Sequence, residues 1–341
     1  MITTPASSEG APRSSAAHRP SVDPAQGNGG GPAGASAPGT LRIAVAINPR
    51  AAFGGSRRQN PGQVGENAVA RLRTAGHHVS MLRRRNYAEL NAAVREELAA
   101  GAQALVVVGG DGMVHLAVNA LAGTGIPLGI VPAGTGNDAA RCLGLDPRNP
   151  AAAVERFLAA TKTAPLTVDL GRIDRDGAAP TWFICALSAG FDALVNERAN
   201  RWRWPRGPQR YNLAILRELI GLSPISYSLV VDGARQDRAA TLISVSNGTS
   251  IGGGMMITPD ARNDDGELDL FVVSPVSRLK FLRIFPRVFS GRHVGDPAVS
   301  IERVREVWID SPGVVAYADG ERIGALPMRV SADPGALKVW V

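Results

Sequence analysis

The chain is 341 residues long, with 45% hydrophobic and 20% charged residues, a composition that excludes global disorder and allows two ordinary domains or one large one. Its 37 Lys and Arg exceed its 30 Asp and Glu for a net charge of +7, which suits phosphorylated substrates, nucleic acid or an acidic membrane as partners. No run approaches ~18 uninterrupted apolar residues, which excludes a spanning helix, and two cysteines, Cys142 and Cys185, are too few for a disulfide framework and read as buried thiols in a reducing compartment.

Residues 1–40 read as a disordered tail, because 27 of the 40 are Gly, Pro, Ala or Ser and little there can be buried. Its charges cancel, Arg13 and Arg19 against Glu9 and Asp23, so the positive excess belongs to the rest of the chain. Leu41–Ile47 is a buried-strand run that ends at Asn48-Pro49. Helical periodicity over 64–75 stops at Gly76; His77–Leu82 is a second strand and Tyr87–Ala100 a second amphipathic helix. Ala104–Val108 is a third strand, running into Gly109-Gly110-Asp111-Gly112 and a helix over 113–122. Pro127–Val131 is a fourth strand, feeding Gly134-Thr135-Gly136-Asn137-Asp138 and another helix. This alternation predicts an α/β domain over 41–165 with a parallel sheet covered on both faces.

After a helix at 150–160 the pattern changes. Strand-like runs at 166–173, 182–188, 225–232, 240–247, 268–273, 304–310, 314–318 and 327–331 are interrupted by helical stretches at 191–201, 211–222 and 277–290. Turn pairs at Asp232-Gly233, Asp265-Gly266 and Asp319-Gly320 predict a mostly antiparallel β-sandwich domain over 166–341, with its last strands able to return to the first domain.

The two glycine turns carry the chemistry. Each follows a buried strand, and ligands of open α/β sheets sit at the carboxyl ends of strands. Consecutive glycines let main-chain N–H groups face an anion. Asp111 would repel a bare phosphate, so it reads as facing a divalent cation that bridges it to the phosphates, or else as a capping residue. Gly134-x-Gly136-x-x-Ala139 fits the dinucleotide fingerprint, but it follows the fourth strand and lacks an acidic strand end about twenty residues later. Two such turns on adjacent strands predict a polyphosphate site on one rim.

At this point the sequence resembles the diacylglycerol kinase catalytic family of bacterial lipid kinases, which is related to the sphingosine and NAD kinases. Residues 127–138 match its P-x-G-x-x-P-x-G-T-x-N-D stretch in full, and Gly109–Gly112 its G-G-D-G. Val168-Asp169-Leu170-Gly171, the run from Asn247-Gly248 through Gly252-Gly253-Gly254 to Asp264-Asp265-Gly266, and Asp319-Gly320-Glu321 follow in the family's order. The resemblance spans about 41–341. It implies an NAD kinase/diacylglycerol kinase-like fold and an ATP site formed by Asn48, Pro49, Gly109, Gly110, Asp111, Gly112, Gly134, Thr135, Gly136, Asn137 and Asp138. It implies a mainly structural Mg2+ site at Asn263, Asp265 and Glu267. It further implies Glu321 as general base, with Asp111, Asp319 and Asp169 in the catalytic group. Two departures stand in the nucleotide motif: Met113 replaces a Thr, and Leu116 a Glu.

Two stretches suit an acidic membrane. Residues 197–217 hold six arginines and one acid, with Trp202 and Trp204 among them; residues 278–292 hold five basic residues, no acid and seven large apolar ones. Packing of 278–292 on the β domain is the competing reading. No nucleic-acid module accompanies either stretch. The expectation is therefore an ATP-dependent lipid kinase of the cytoplasm that meets its diacylglycerol-like substrate at the inner face of the membrane. A sphingoid lipid kinase, an NAD kinase-like enzyme and a catalytically weak nucleotide or lipid binder are the alternatives, and the oligomeric state, a homodimer included, stays open.

Overall fold

The computed structural model describes residues 39–47, 61–190 and 223–341, together with Val195, Arg198, Arg217 and Gly221. Residues 1–38 of the tail, Asn48-Pro49 and nearly all of the Trp- and Arg-rich stretch at 197–217 lie outside the described residues.

The first half builds as its hydrophobic periods dictate. Strands β1 (Arg42–Ile47), β2 (His78–Arg83), β3 (Ala104–Gly109) and β4 (Leu128–Pro132) pair in parallel in the order β2-β1-β3-β4. Alternate side chains feed opposite faces. Ile43, Val45 and Ile47 meet Leu72 of helix α1 (Pro61–Thr74) and Phe157 of α5 (Pro150–Ala160). Ala44 and Ala46 face the other way, into the core shared by α2 (Tyr87–Ala99) and α3 (Asp111–Leu121). A short α4 (Asp138–Cys142) follows β4. This is the predicted α/β architecture with both sheet faces covered.

The second half is antiparallel, as the turn-separated strands predict. β7 (Ala186–Gly190), β10 (Leu242–Ser246), β11 (Leu268–Val273), β12 (Val299–Val304), β14 (Val315–Ala318) and β15 (Glu321–Ala325) form a six-stranded sheet ordered β12-β11-β10-β7-β14-β15. Asp232-Gly233 turns β8 (Ile225–Val231) into β9 (Ala234–Ala240), and Asp319-Gly320 turns β14 into β15, with positive φ at all four residues. Asp265-Gly266 is not a hairpin turn: it ends the long connection between β10 and β11, and its Gly266 N–H is spent on Asp169.

The last strand joins the two halves. β16 (Met328–Val339) pairs antiparallel with β13 (Glu306–Asp310) at one end, and Val339 lies beside Leu128 of β4, in parallel, at the other. Along the way it pairs with β5 (Leu166–Asp174), which in turn pairs with the short β6 (Thr181–Phe183). One ten-stranded sheet therefore runs from β2 through β16 to β13, β8 and β9. Its far end packs on the six-stranded sheet through Leu229, Val307, Val330, Leu270 and Ile243. The predicted run 182–188 is broken into β6 and β7, and the predicted helix at 277–290 is α6 (Arg278–Ile284) followed by a 3-10 turn at Phe285–Ser290, which Pro286 starts.

Candidate active site

The register of β3 against β4 sets the two glycine turns side by side: Gly109 lies opposite Pro132, and Ala133 N–H donates to the Gly109 carbonyl at 2.8 Å. Backbone packs directly on backbone beyond that point. A methyl group on Gly134 would overlap the Gly110 Cα, and one on Gly110 would sit 3.0 Å from the Gly134 Cα. Gly134→Ala should therefore push the turns apart, lowering urea stability by about 1–3 kcal/mol and weakening ATP binding. A stable variant that binds ATP normally would contradict the close approach.

The second turn is shaped from within by Asn137. Its Oδ1 accepts the Gly134 N–H at 2.9 Å and its Nδ2 donates to the carbonyls of Gly134 (3.1 Å) and Pro147 (3.0 Å), while its own backbone is left-handed, φ 56°. This side chain is buried and engaged in holding the loop, and Thr135 is the exposed hydroxyl at its crest. Gly110 stands at the N-cap of α3 with no side-chain cap, so the first N–H groups of that 11-residue helix open onto the rim.

Three aspartates meet under this rim. Asp111 does not cap its own helix; its Oδ1 accepts the Ala139 N–H at 3.1 Å, so it reaches into the second turn and caps α4. Asp138 is buried and crosses the other way, accepting N–H groups of Gly253 (2.6 Å) and Gly254 (2.8 Å), the Ser250 hydroxyl (3.2 Å) and the Arg141 guanidinium (3.2 Å). A Cβ on Gly136 would meet Asp111 Oδ2 at 2.5 Å and Asp138 Oδ2 at 3.3 Å, so both carboxylates converge beneath that glycine. Burial, then the charges of Asp138 and Asp319, push the Asp111 carboxyl up to about 7.

Asp319 and Glu321 share one hairpin but play different parts. The Asp319 carboxylate is buried and accepts N–H groups from Ile184 (2.9 Å), Cys185 (2.9 Å) and Ala186 (3.3 Å), with His115 Nδ1 3.8 Å away. It anchors the β14–β15 turn against β7. Glu321, two residues on, is exposed and leans over the start of α3: its Oε1 lies 2.7 Å from where a Cβ on Gly112 would stand. Its charge also adds to burial in raising the Tyr87 phenol to about 12, which places Tyr87, at the start of α2, beside it.

Asp169 is held by its own set of partners. It is buried on β5, where its carboxylate accepts Gly266 N–H and Gly335 N–H, both at 2.7 Å, and its own N–H donates to the Asn263 carbonyl at 2.7 Å. It thereby fixes the loop carrying Asn263, Asp265 and Glu267 to β5 and β16. Asp265 lies 3.3 Å from Arg303, and Glu267 3.7 Å from both Arg303 and Arg305. Among the described residues, no three Asp, Glu, His or Cys side chains meet as a metal cage. Asn263, Asp265 and Glu267 offer oxygen donors of the kind a hard divalent ion takes with water; in the structure the Asn263 carbonyl accepts the Asp169 N–H and both carboxylates face Arg303. The crowding is visible at the neighbouring Asp269, held at about 6 by burial, against Arg303 and with the added charges of Asp265, Asp260 and Glu267.

Sequence reasoning missed several neighbours. Arg141 donates to the Gly136 carbonyl and to Asp138, and its guanidinium stands 3.6 Å from a Cβ position on Gly254; only its spacing, one helical turn after Asp138, hints at this. Ser250, His115 and Tyr87 had no signal in the local sequence. Met113 and Leu116, the two departures from the family motif, are buried in the core of α3. Cys185 is buried as expected, but Cys142 is partly exposed, with the sulfurs 4.0 Å apart.

Comparison with known proteins finds relatives over most of the chain. Residues 42–173 match the diacylglycerol kinase catalytic domain, and residues 185–341 match the YegS C-terminal NAD kinase beta sandwich-like domain. A diacylglycerol kinase of Mycobacterium tuberculosis is 41% identical over 299 residues, covering 87% of this chain and 94% of that protein. A diacylglycerol kinase of Bacillus subtilis is 27% identical over 231 residues, covering 65% and 72%. A crystal structure of a diacylglycerol kinase from Bacillus anthracis shares the fold, with a TM-score of 0.62, 21% identity and coverage of 89% of this chain and 96% of that one. Joined to the interlocked glycine turns and the Asp319–Glu321 hairpin that faces them, these matches show that the chain belongs to the diacylglycerol kinase family of lipid kinases.

Proposed function

We propose that the chain transfers the γ-phosphoryl group of ATP to the hydroxyl of a diacylglycerol-like lipid. The observation that carries this reading is the position of Glu321, an exposed carboxylate held over Gly112 at the mouth of two anion-cradling turns. Phosphoryl transfer asks a protein for positioning and charge neutralisation more than for covalent help. The N–H groups at the start of α3 and along residues 133–137 would receive the phosphates, with Thr135 at the crest and Asn48-Pro49 as the family's further contribution. Arg141 would add positive charge beside Gly136. Glu321 would take the proton from the lipid hydroxyl as its oxygen bonds to phosphorus and ADP leaves, with Asp319 holding the hairpin in place. Magnesium would be held structurally by Asn263, Asp265 and Glu267, and magnesium carried by the nucleotide would supply the positive charge that lets Asp111 stay ionised.

None of the helices among the described residues is long and apolar enough to cross a membrane. We infer that the lipid is met at a membrane surface, with ATP supplied from the cytoplasmic side. The test is incubation of the purified chain with γ-labelled ATP, magnesium and separate acceptors: diacylglycerol, ceramide, sphingosine, phosphatidylglycerol and NAD. Label in diacylglycerol supports the reading. Label in sphingosine or NAD alone, or ATP binding with no transfer, would replace it.

A further inference from the structure

The segment Arg278–Val294 presents two faces. Its inner face is core: Phe281, Ile284, Val288 and His293 are buried, with Val288 and Phe285 packed against Met255, Ile257 and Phe271. Ser277 caps α6, Pro286 starts the 3-10 turn and Gly291, at φ 71°, reverses the chain, so a short rigid element stands on the β domain. Its outer face is unusual. Leu279 is 70% exposed, Leu282 47%, Phe289 54% and Val294 44%, half of the exposed large hydrophobic residues among the described ones, all within sixteen positions. Arg278, Arg283, Arg287 and Arg292 are exposed between and beside them. No acidic residue occurs from 270 to 295, and the one that follows, Asp296, is held by Lys280 at 3.0 Å.

We propose that this outer face is the surface by which the enzyme docks on an anionic bilayer. Scattered exposed apolar residues need no explanation; a cluster ringed by arginines does. Apolar side chains that enter the headgroup boundary while cations meet anionic lipid are the recognised chemistry of interfacial binding. An acidic protein would satisfy the arginines but leave Leu279, Leu282 and Phe289 to be covered by a matching apolar face. The bilayer satisfies both at once.

The same element is wired to the candidate site. Met256 N–H donates to the Val288 carbonyl at 3.0 Å, and His293 Nε2 lies 2.9 Å from the Ile257 carbonyl. Two to four residues earlier in that loop, Gly253 and Gly254 hold the Asp138 carboxylate. Docking therefore occurs on an element that shares a loop with the glycine rim, so the membrane surface and the site are positioned by one piece of backbone. The purpose of the surface rests on the lipid-kinase reading; the binding itself does not.

The test is sedimentation of the full chain with vesicles of phosphatidylcholine, alone or mixed with phosphatidylglycerol. Wild type should bind the mixed vesicles and not the neutral ones. The double variants Leu282→Ser with Phe289→Ser, and Arg283→Gln with Arg287→Gln, should each lose about tenfold or more in affinity with unchanged melting temperature. Both should keep wild-type phosphorylation of a short-chain, water-soluble diacylglycerol and lose it on vesicle-borne diacylglycerol. Vesicle binding that both variants retain overturns the proposal. So does concentration-dependent dimerisation that Phe289→Ser abolishes while vesicles are ignored, because the face would then be a self-association surface. Wild type that binds anionic vesicles but labels no diacylglycerol, soluble or embedded, would keep the docking surface and sink the lipid-kinase reading.

Discussion

Glu321→Gln should lower phosphate transfer to lipid by about 10²–10⁴-fold, the range general-base removal commands, and leave ATP affinity unchanged. The substitution keeps the volume and reach of the side chain and removes its ability to accept a proton. The hairpin should survive, because its anchor is Asp319, whose three N–H partners on residues 184–186 are untouched. A second readout comes from Tyr87. Its phenol stands at about 12, mainly through burial and then through the Glu321 charge, so neutralising residue 321 should bring it down in an ultraviolet titration. A fall in activity with no movement at Tyr87 would place Glu321 away from Tyr87 and the start of α2. Full activity would remove it from the chemistry.

Asp111→Asn should also abolish transfer, yet raise the stability of the nucleotide-free protein above neutral pH. Asp111 titrates at about 7 in the folded chain, well above an ordinary aspartate, chiefly because it is buried and then because Asp138 and Asp319 repel it. The folded state therefore holds a proton that the unfolded chain has already lost. Below the ordinary carboxylate range the two states bind it equally and there is no penalty; as pH rises toward 7 the penalty grows, and above 7 it is complete. A shift of that size is worth at most about 4 kcal/mol, less after relaxation of the site. Asparagine keeps an acceptor for the Ala139 N–H without the charge. Melting curves should thus show variant and wild type converging toward pH 4 and the variant more stable by several degrees at pH 8. Equal stability at pH 8 would mean that Asp111 is neither withdrawn from water nor faced by the other two carboxylates.

The elements that were legible in the sequence are those governed by local period. The mostly apolar runs Leu41–Ile47 and Ala104–Val108, closed by Asn-Pro and by glycine, read as buried strands of a sheet covered on both faces, and they are. The strand β9 escaped because ARQDRAA carries polar residues along an outer strand paired on one side only, by β8. The reach of β16 into the first sheet depends on partners such as Leu128, more than two hundred residues away, and no local pattern encodes them.

The site divides in the same way. The glycine turns were readable because backbone approach needs glycine at specific steps. What the carboxylates do was not readable. Asp111 caps a helix 28 residues downstream, Asp138 binds a loop 115 residues away and Asp319 binds amides 134 residues upstream. An isolated Asp in a turn looks the same in every one of these cases. Asn137, which the motif marked for nucleotide, proves to be the clamp of its own loop, because both ends of its amide find carbonyl and N–H partners at once.

Main-chain amides are the proposed phosphate ligands, so amide hydrogen exchange reads them without any substitution. Wild-type protein with ATP and magnesium should exchange more slowly than the free protein in peptides covering 109–114 and 133–139, and little elsewhere in the first sheet. Saturating nucleotide that leaves both peptides exchanging as before, while slowing another part of the chain, would contradict the phosphate-binding rim and the phosphotransfer built upon it.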